Sequence, residues 1–181
     1  LDQDINLENI LKFRDLIERR SRKEPIAYIL KKKEFWSKTY KVNRNTLIPR
    51  PETELMVEKL CKIYKDKAIS LLDIGTGSGC ILISLLSELK KSKGVGIDIS
   101  NKALLIAKEN AKNHDLNCRI KFLNKSFEGF YDRSFDLIVS NPPYIKSREL
   151  NNLEDDIKKY EPLIALDGGN DGLDVIKKVI Y

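Results

Sequence analysis

The sequence predicts an α/β fold built on a doubly wound parallel sheet, preceded by a helix and a β-hairpin, and three observations carry that expectation. From Ala68 onward, short apolar runs alternate with helical patterns in the order strand, turn, helix, strand. Buried strands flanked by helices imply a parallel sheet with helices on both faces. The first of these strands empties into a glycine-rich turn, where a doubly wound fold places its ligand.

Taken in order, Leu7 to about Arg22 has Leu7, Ile10, Leu11, Phe13, Leu16 and Ile17 at helical spacing. This is an amphipathic helix whose apolar stripe must pack on something. Glu34 to Asn43 carries Phe35, Trp36, Tyr40 and Val42 around Ser37 and Lys38, which predicts a hairpin. Pro49-Arg50-Pro51 breaks the chain, and Pro51 can open a helix over Glu52 to about Tyr64. Strands are expected at Ile69–Ile74, Val95–Ile99, Ile120–Leu123 and Asp136–Ser140, with helices at Ile81–Leu89 and Asn101–Asn113. Asn151–Tyr160 is polar and partly helical, and Gly172–Tyr181 begins an amphipathic helix. Four strands leave one sheet edge bare, so the chain reads as a fragment incomplete at its C-terminal edge. Three segments are expected: 1–33, the end of a helical region and a linker; 34–48, the hairpin; and 49–181, the α/β core.

The 181 residues fit one domain with a small appendage, and an apolar fraction of 41% suffices for a packed core. No run approaches the roughly 18 apolar residues needed to span a bilayer, and the acidic, polar start is unlike a signal peptide. Cys61, Cys80 and Cys118 are scattered without metal-ligand spacing, which fits a reducing cytoplasm and a protein without a metal. The lone histidine, His114, reads as a surface residue. Residues 1–70 hold 17 Lys+Arg against 11 Asp+Glu, whereas residues 71–181 hold 16 of each. The excess is concentrated in Arg19, Arg20, Arg22, Lys23 and Lys31–Lys33. Such a patch raises encounter rates with polyanions, or it solubilises a helix end.

The segment Asp73-Ile74-Gly75-Thr76-Gly77-Ser78-Gly79 runs from a strand into a helix. Gly75, Gly77 and Gly79 let the backbone turn sharply and approach a ligand. The next strand ends in Asp98, which the fold places beside that loop, where a carboxylate can accept hydrogen bonds from vicinal ribose hydroxyls. A dinucleotide fingerprint would put its third glycine at position 80, where Cys80 stands. Asp73 would sit poorly near a pyrophosphate and suits the cationic methionine end of S-adenosylmethionine, directly or through the loop. A nicotinamide enzyme stays open on the loop alone.

The fourth strand runs directly into Asn141-Pro142-Pro143-Tyr144. As a purely structural device this is a stiff turn that ends a strand. As chemistry, the Asn141 side-chain oxygen and the Pro142 carbonyl are two acceptors that can grip both hydrogens of an NH₂ group. Tyr144 offers a flat face to a planar amide or base. An amide nitrogen is a poor nucleophile, and gripping its hydrogens lets it pyramidalise toward a sulfonium methyl. No general base is required before attack, so positioning and electrostatics carry the rate.

These motifs resemble those of class I, Rossmann-like S-adenosylmethionine-dependent methyltransferases acting on amide or exocyclic nitrogens. The chain is more closely similar to the release-factor glutamine methyltransferases, the HemK/PrmC family. That resemblance extends to Glu24–Ile29, Phe35, Leu47–Glu54, Glu161–Leu163, Ala165-Leu166 and Gly168–Leu173, and spans about residues 8–181. It implies that Gly75, Thr76, Gly77, Ser78 and Gly79 line S-adenosyl-L-methionine and that Asp98 holds its ribose. It further implies that Asn141, Pro142, Pro143 and Tyr144 bind the glutamine amide of a peptide-chain release factor. The family meets adenine at the pair occupied here by Ser126-Phe127; Phe127 can cover the ring, while Ser126 replaces a residue that is often acidic. The family also has a larger helical N-terminal domain and further strands, and some members are fused to a tRNA methyltransferase domain.

Two other readings remain on the sequence. An N6-adenine methyltransferase acting on DNA or RNA needs the same loop, a flipped base and a basic surface, which the N-terminal patch or a missing C-terminal domain could supply. A non-catalytic nucleoside-binding fragment needs only the glycine loop and Asp98.

Overall fold

Asn6 opens the first helix, α1 (Leu7–Ser21), because its side-chain oxygen accepts the Glu8 N–H at 2.7 Å and satisfies a donor that the helix start leaves free. The structure, a computed structural model, describes residues 6–128, 130 and 134–180. Among the described residues the expected α1 stripe is only partly covered: Ile10 and Leu16 are half-buried, no α1 residue is buried, and Leu7, Leu11, Phe13 and Ile17 face outward. Much of the basic patch is used locally. Arg19 makes two 2.9 Å hydrogen bonds to the Glu24 carboxylate, Arg20 donates to the Glu24 carbonyl at 3.2 Å, and Arg22 pairs with Glu18. These arginines close the end of α1. The Arg19 hydrogen bonds also hold the Glu24 carboxyl below its ordinary range.

After a short helix, α2 (Ile26–Ile29), the hairpin forms from β1 (Lys32–Phe35) and β2 (Lys38–Lys41). It starts two residues earlier than expected, since Lys32 pairs with Lys41 on the solvent side while Phe35 and Tyr40 face the core. Trp36 and Ser37 form its two-residue turn with φ of 51° and 52°, the left-handed conformation that such turns demand. The Trp36 N–H and Nε1 donate to Glu54 (2.9 Å) and Glu88 (3.1 Å), holding a turn that lacks glycine.

Pro51 opens a 3₁₀ turn (Pro51–Thr53), and the α-helical part, α3 (Glu54–Ile63), follows it. The core sheet contains β3 (Ser70–Ile74), β4 (Lys93–Asp98), β5 (Ile120–Asn124) and β6 (Leu137–Ser140), all parallel, in the spatial order β5-β4-β3-β6. The chain adds β4 and β5 on one side of β3 and then returns to place β6 on the other. The order therefore reverses at β3, which opens a crevice at the carboxyl ends of β3 and its neighbours.

One sheet face packs α3, α4 (Cys80–Glu88) and α5 (Asn101–Asn113) around Leu71, Leu82, Leu85, Leu86 and Val57. The α5 bounds match the sequence pattern because the Ser100 hydroxyl caps the Ala103 N–H at 3.2 Å. The other face, Leu72, Ile74 and Ile97, is covered by Phe127, Phe130, Phe135 and Val179 of α7 (Asp174–Ile180). Among the described residues this second layer is one short helix and an aromatic segment, where helices were expected. The expected last helix is seen to Ile180, and Tyr181 lies outside the described residues, as do 1–5 of the expected N-terminal segment. Helix α6 (Asp155–Tyr160) lies between β6 and α7 in sequence. Among the described residues no helix is long and apolar enough to cross a membrane.

Three polar side chains clip the core together. Asn110, fully buried in α5, accepts the Lys41 N–H at 2.7 Å and donates to the carbonyls of Lys41 (3.0 Å) and Ser78 (2.9 Å), so it joins the hairpin to the glycine loop. His114, expected as a plain surface residue, lies 2.9 Å from the Thr39 carbonyl and 5.1 Å from the Tyr40 ring centroid. The Arg119 guanidinium donates to the carbonyls of Leu86 (2.6 Å), Leu89 (3.1 Å), Lys90 (3.1 Å) and Ser92 (3.0 Å), closing the end of α4. Arg119→Ala is expected to cost about 1.5–3 kcal/mol, the scale of charge-assisted hydrogen bonds, read as a lower urea midpoint with an unchanged slope.

Candidate active site

A cavity of about 340 Å³ opens where the strand order reverses, at the carboxyl ends of β3, β4 and β6. The glycine loop forms its floor. The Gly75 and Thr76 N–H groups donate to the Ile97 carbonyl at 2.9 and 3.0 Å, which ties the loop to β4. Gly75 has φ of 69°, and a Cβ there would meet no atom within 4 Å, since that side of the residue is open. Gly77, at φ of 55°, donates its N–H to Asp98 Oδ2 at 2.9 Å, and Asp98 Oδ1 accepts the Ser100 N–H at 2.8 Å. Asp98 lines the cavity with one lone pair of each oxygen engaged and the others available. Thr76 and Ser78 line it as well.

Two expected ligand contacts stand behind the loop and do not line the cavity. Gly79 starts α4, and a Cβ there would lie 2.9 Å from Ile83 Cδ1 and 3.3 Å from Ala107 Cβ. It is a packing glycine that lets α4 approach α5. Asp73 is fully buried; its Oδ2 accepts the Thr76 hydroxyl at 2.7 Å, and its Oδ1 has no hydrogen-bond partner among the described residues. Burial pushes the Asp73 carboxyl up to about 7, against the Thr76 hydrogen bond and with help from the charge of Asp98. Its geometric role is to brace the loop through Thr76.

Across the cavity, the Ser140 hydroxyl donates to the Ile74 carbonyl at 2.9 Å and locks the end of β6 to β3. Asn141, Pro142 and Pro143 follow and line the cavity. Neither the Asn141 side chain nor the Pro142 carbonyl takes part in a hydrogen bond among the described residues. The Tyr144 side chain, 62% exposed, lies outside the lining. Behind this loop runs the segment 166–172. The Ile145 N–H donates to the Leu166 carbonyl at 3.0 Å, and the Gly168 N–H returns to the Ile145 carbonyl at 2.8 Å. The Ser147 hydroxyl and Gly169 N–H both donate to Asp167 Oδ1, at 2.7 and 2.9 Å, which holds its carboxyl below the ordinary range.

At the far end, Phe127 is half-buried and lines the cavity with Ser126, whose hydroxyl accepts the Glu128 N–H at 3.2 Å. Glu128 and Lys178 pair at 2.8 Å over the same end. Cys80 is also in the wall; burial pushes its thiol up to about 12, so it stays neutral.

Motif reading missed two walls. One is the strap Asn45–Thr53, which contributes Asn45, Thr46, Leu47, Pro49, Arg50 and Thr53; the other is Pro162, Ile164 and Ala165. Pro49-Arg50-Pro51 was legible as a chain break, and nothing local says that a break lines a crevice. The signal available was the unusual run of specific residues in both segments, the same segments that carry the family resemblance.

With this geometry in place, comparison with known proteins is informative. Residues 51–158 match the family model described as Methyltransferase small domain. The Release factor glutamine methyltransferase of Caulobacter vibrioides is 46% identical over 173 residues, covering 94% of this chain and 60% of that protein. Its counterpart from Geobacter sulfurreducens is 40% identical over 99% of this chain and 62% of the relative. The Bifunctional methyltransferase of Rickettsia conorii is 37% identical over 96% of this chain and 38% of its own length. The chain thus spans about 60% of the length of the first two relatives. Among solved structures, the hMettl16 catalytic domain in complex with MAT2A 3′UTR hairpin 6 matches with a TM-score of 0.62 at 18% identity, covering 78% of this chain and 54% of that one, a likeness of fold. With more than half of its residues matched by the family model and its glycine loop, Asp98 and Asn141 gathered around one crevice, the chain belongs to the methyltransferase small domain family.

Proposed function

We propose that this chain is the catalytic region of an S-adenosylmethionine-dependent protein-glutamine N-methyltransferase. Its acceptor is the side-chain amide of the glutamine in the Gly-Gly-Gln motif of peptide-chain release factors. The observation that carries the reading is the single cavity in which the glycine loop and Asp98 face Asn141 and Pro142. The similarity to proteins named release factor glutamine methyltransferase supports the choice of acceptor.

The residues present fit the cofactor. The open side of Gly75 is a cradle that a side chain would fill, Asp98 retains acceptor capacity for ribose hydroxyls, and Phe127 gives an apolar face for adenine. When bound, S-adenosylmethionine supplies an electrophilic sulfonium methyl group. The protein's part is to hold the amide. Asn141 and the Pro142 carbonyl accept its two hydrogens and pull density toward nitrogen as it pyramidalises, and the proton that becomes acidic leaves through one of these oxygens. Pro142 and Pro143 keep the acceptors rigid, so little reorganisation accompanies the transfer. Tyr144, at the rim, covers the amide face as the acceptor enters.

The domain plan of 1–33, 34–48 and 49–181 is retained as part of this proposal, as is a cytoplasmic site of action. Asp98→Ala is expected to weaken S-adenosylhomocysteine binding by about 1.5–3 kcal/mol in calorimetry, the loss of charge-assisted hydrogen bonds. Asp98→Asn, which can still brace one backbone N–H, should lose less.

The direct test incubates the full-length protein with labelled S-adenosylmethionine, release factor and nucleic acids. Label on the Gly-Gly-Gln glutamine is the expected outcome. Label on adenine would establish the nucleic-acid reading instead, and cofactor binding without label on any acceptor would establish a non-catalytic module.

A further inference from the structure

The strap Asn45–Thr53 and the segment Pro162–Ala165 are remote in sequence, yet both line one cavity. Glu161 joins them. Its side chain is only 2% exposed; Oε2 accepts the Ile48 N–H at 3.1 Å and Oε1 accepts Arg50 Nη2 at 2.6 Å. Arg50 Nη1 donates in turn to the Ile48 carbonyl at 3.1 Å, so guanidinium and carboxylate enclose one residue of the strap. A carboxylate this buried is tolerable only when paired and hydrogen-bonded, which gives the arrangement one favoured geometry.

The neighbouring contacts fix the N-terminal end of the strap. The Tyr28 hydroxyl donates to the Thr46 carbonyl at 2.6 Å, and burial raises the pKa of that phenol, keeping it a donor. The Arg44 guanidinium lies 4.6 Å from the centroid of the Tyr160 ring, and the Tyr160 hydroxyl donates to the Arg22 carbonyl at 2.9 Å. Tyr160 and Glu161 therefore seat the chain from Arg44 to Arg50.

We infer that the Arg50–Glu161 pair is a latch that positions the acceptor wall of the cavity, so that both are positioning residues for the methyl acceptor. This rests on the proposed transfer to a glutamine amide. The coupling runs through backbone: Glu161 leads into the 3₁₀ turn Leu163–Ala165, and Leu166 receives the Ile145 N–H just after the Asn141–Tyr144 loop. The cofactor side is braced separately, by Gly77 on Asp98 and by Asn110 on Ser78. Releasing the latch should loosen the acceptor side and leave the cofactor side in place.

The test uses the full-length protein, with Glu161→Gln, Glu161→Ala and Arg50→Lys compared by acceptor KM, kcat and S-adenosylhomocysteine Kd. Glu161→Gln has one acceptor oxygen for two donors and should raise the acceptor KM about tenfold; Glu161→Ala should raise it further. Arg50→Lys keeps the charge and loses the second bond, and should fall near Glu161→Gln. Cofactor Kd should stay within about twofold in all three. Arg50 is partly exposed, so its variant reads the latch even if Glu161→Ala does not fold. An unchanged acceptor KM in folded variants, or a cofactor Kd that rises in step with KM, would overturn the assignment. A wild-type protein with no activity on a glutamine acceptor would mark the failure of the functional reading itself, and the latch's role would fall with it.

Discussion

Replacing Asn141 with alanine should lower turnover by about 10²- to 10³-fold while S-adenosylhomocysteine affinity changes by less than about threefold. The side chain lines the cavity and makes no hydrogen bond among the described residues, so its removal costs the fold little. Its position is set from behind, by the Ser140 hydroxyl on the Ile74 carbonyl, and that bond survives the substitution. What is lost is an acceptor whose interaction strengthens as the amide nitrogen pyramidalises. Single-turnover methyl transfer and calorimetry on the same variant separate the two quantities. Near-normal turnover at saturating acceptor would remove Asn141 from the grip, and a parallel loss of cofactor affinity would reassign it to the cofactor.

Gly168→Ala should produce a comparable loss by pushing on the acceptor loop from outside the cavity. A Cβ at Gly168 would lie 2.7 Å from Tyr144 Cα and from the Gly172 carbonyl oxygen, and 2.9 Å from the Pro143 carbonyl oxygen. All three are backbone atoms, with no flexible side chain to yield. The acceptor loop must shift, and a displacement on the order of 1 Å can cost about 10²-fold in rate. Overpacking should add about 1–3 kcal/mol of instability. Gly75→Ala supplies the contrast, because its Cβ meets no protein atom and projects into open space. There the loss should fall on cofactor affinity, with backbone strain from a φ of 69° added. Binding and rate measurements on the two alanines should therefore give opposite signatures. Identical signatures would undo the division of the cavity into a cofactor side and an acceptor side.

That contrast also marks where the sequence was legible. Strands, helices and the approach of the glycine loop to Asp98 follow from pattern, and the bounds of α5 agree with that pattern to the residue. The three loop glycines look equivalent in sequence, yet Gly75 opens toward the cavity and Gly79 is closed off by Ile83 and Ala107. Which neighbour a missing Cβ accommodates is a tertiary fact. The same holds for Asp73, whose carboxyl turns into the core toward Thr76. The local partners of the basic patch were hidden for a related reason: those of Arg19 and Arg20 lie at Glu24, after a turn that helical periodicity does not foresee. The strap and the Pro162–Ala165 wall stood out as runs of specific residues, but their place in the cavity was not legible because each acquires its role only against the other.

The seat of the strap has a consequence for the order in which the molecule assembles. Ile48 and Arg50 reach Glu161 across 113 and 111 residues, and Arg22 reaches Tyr160 across 138. On the ribosome, the hairpin, β3, α4 and β4 can all form while residue 160 is still unmade. Closing such long loops costs entropy that neighbouring contacts must first offset, so the distant pairings come late. The nucleoside half of the crevice is thus built from early, nearby partners, and the wall formed by the strap and Pro162–Ala165 waits until Glu161 has emerged. A nascent chain halted before Glu161 would be a folded core with an unfinished mouth.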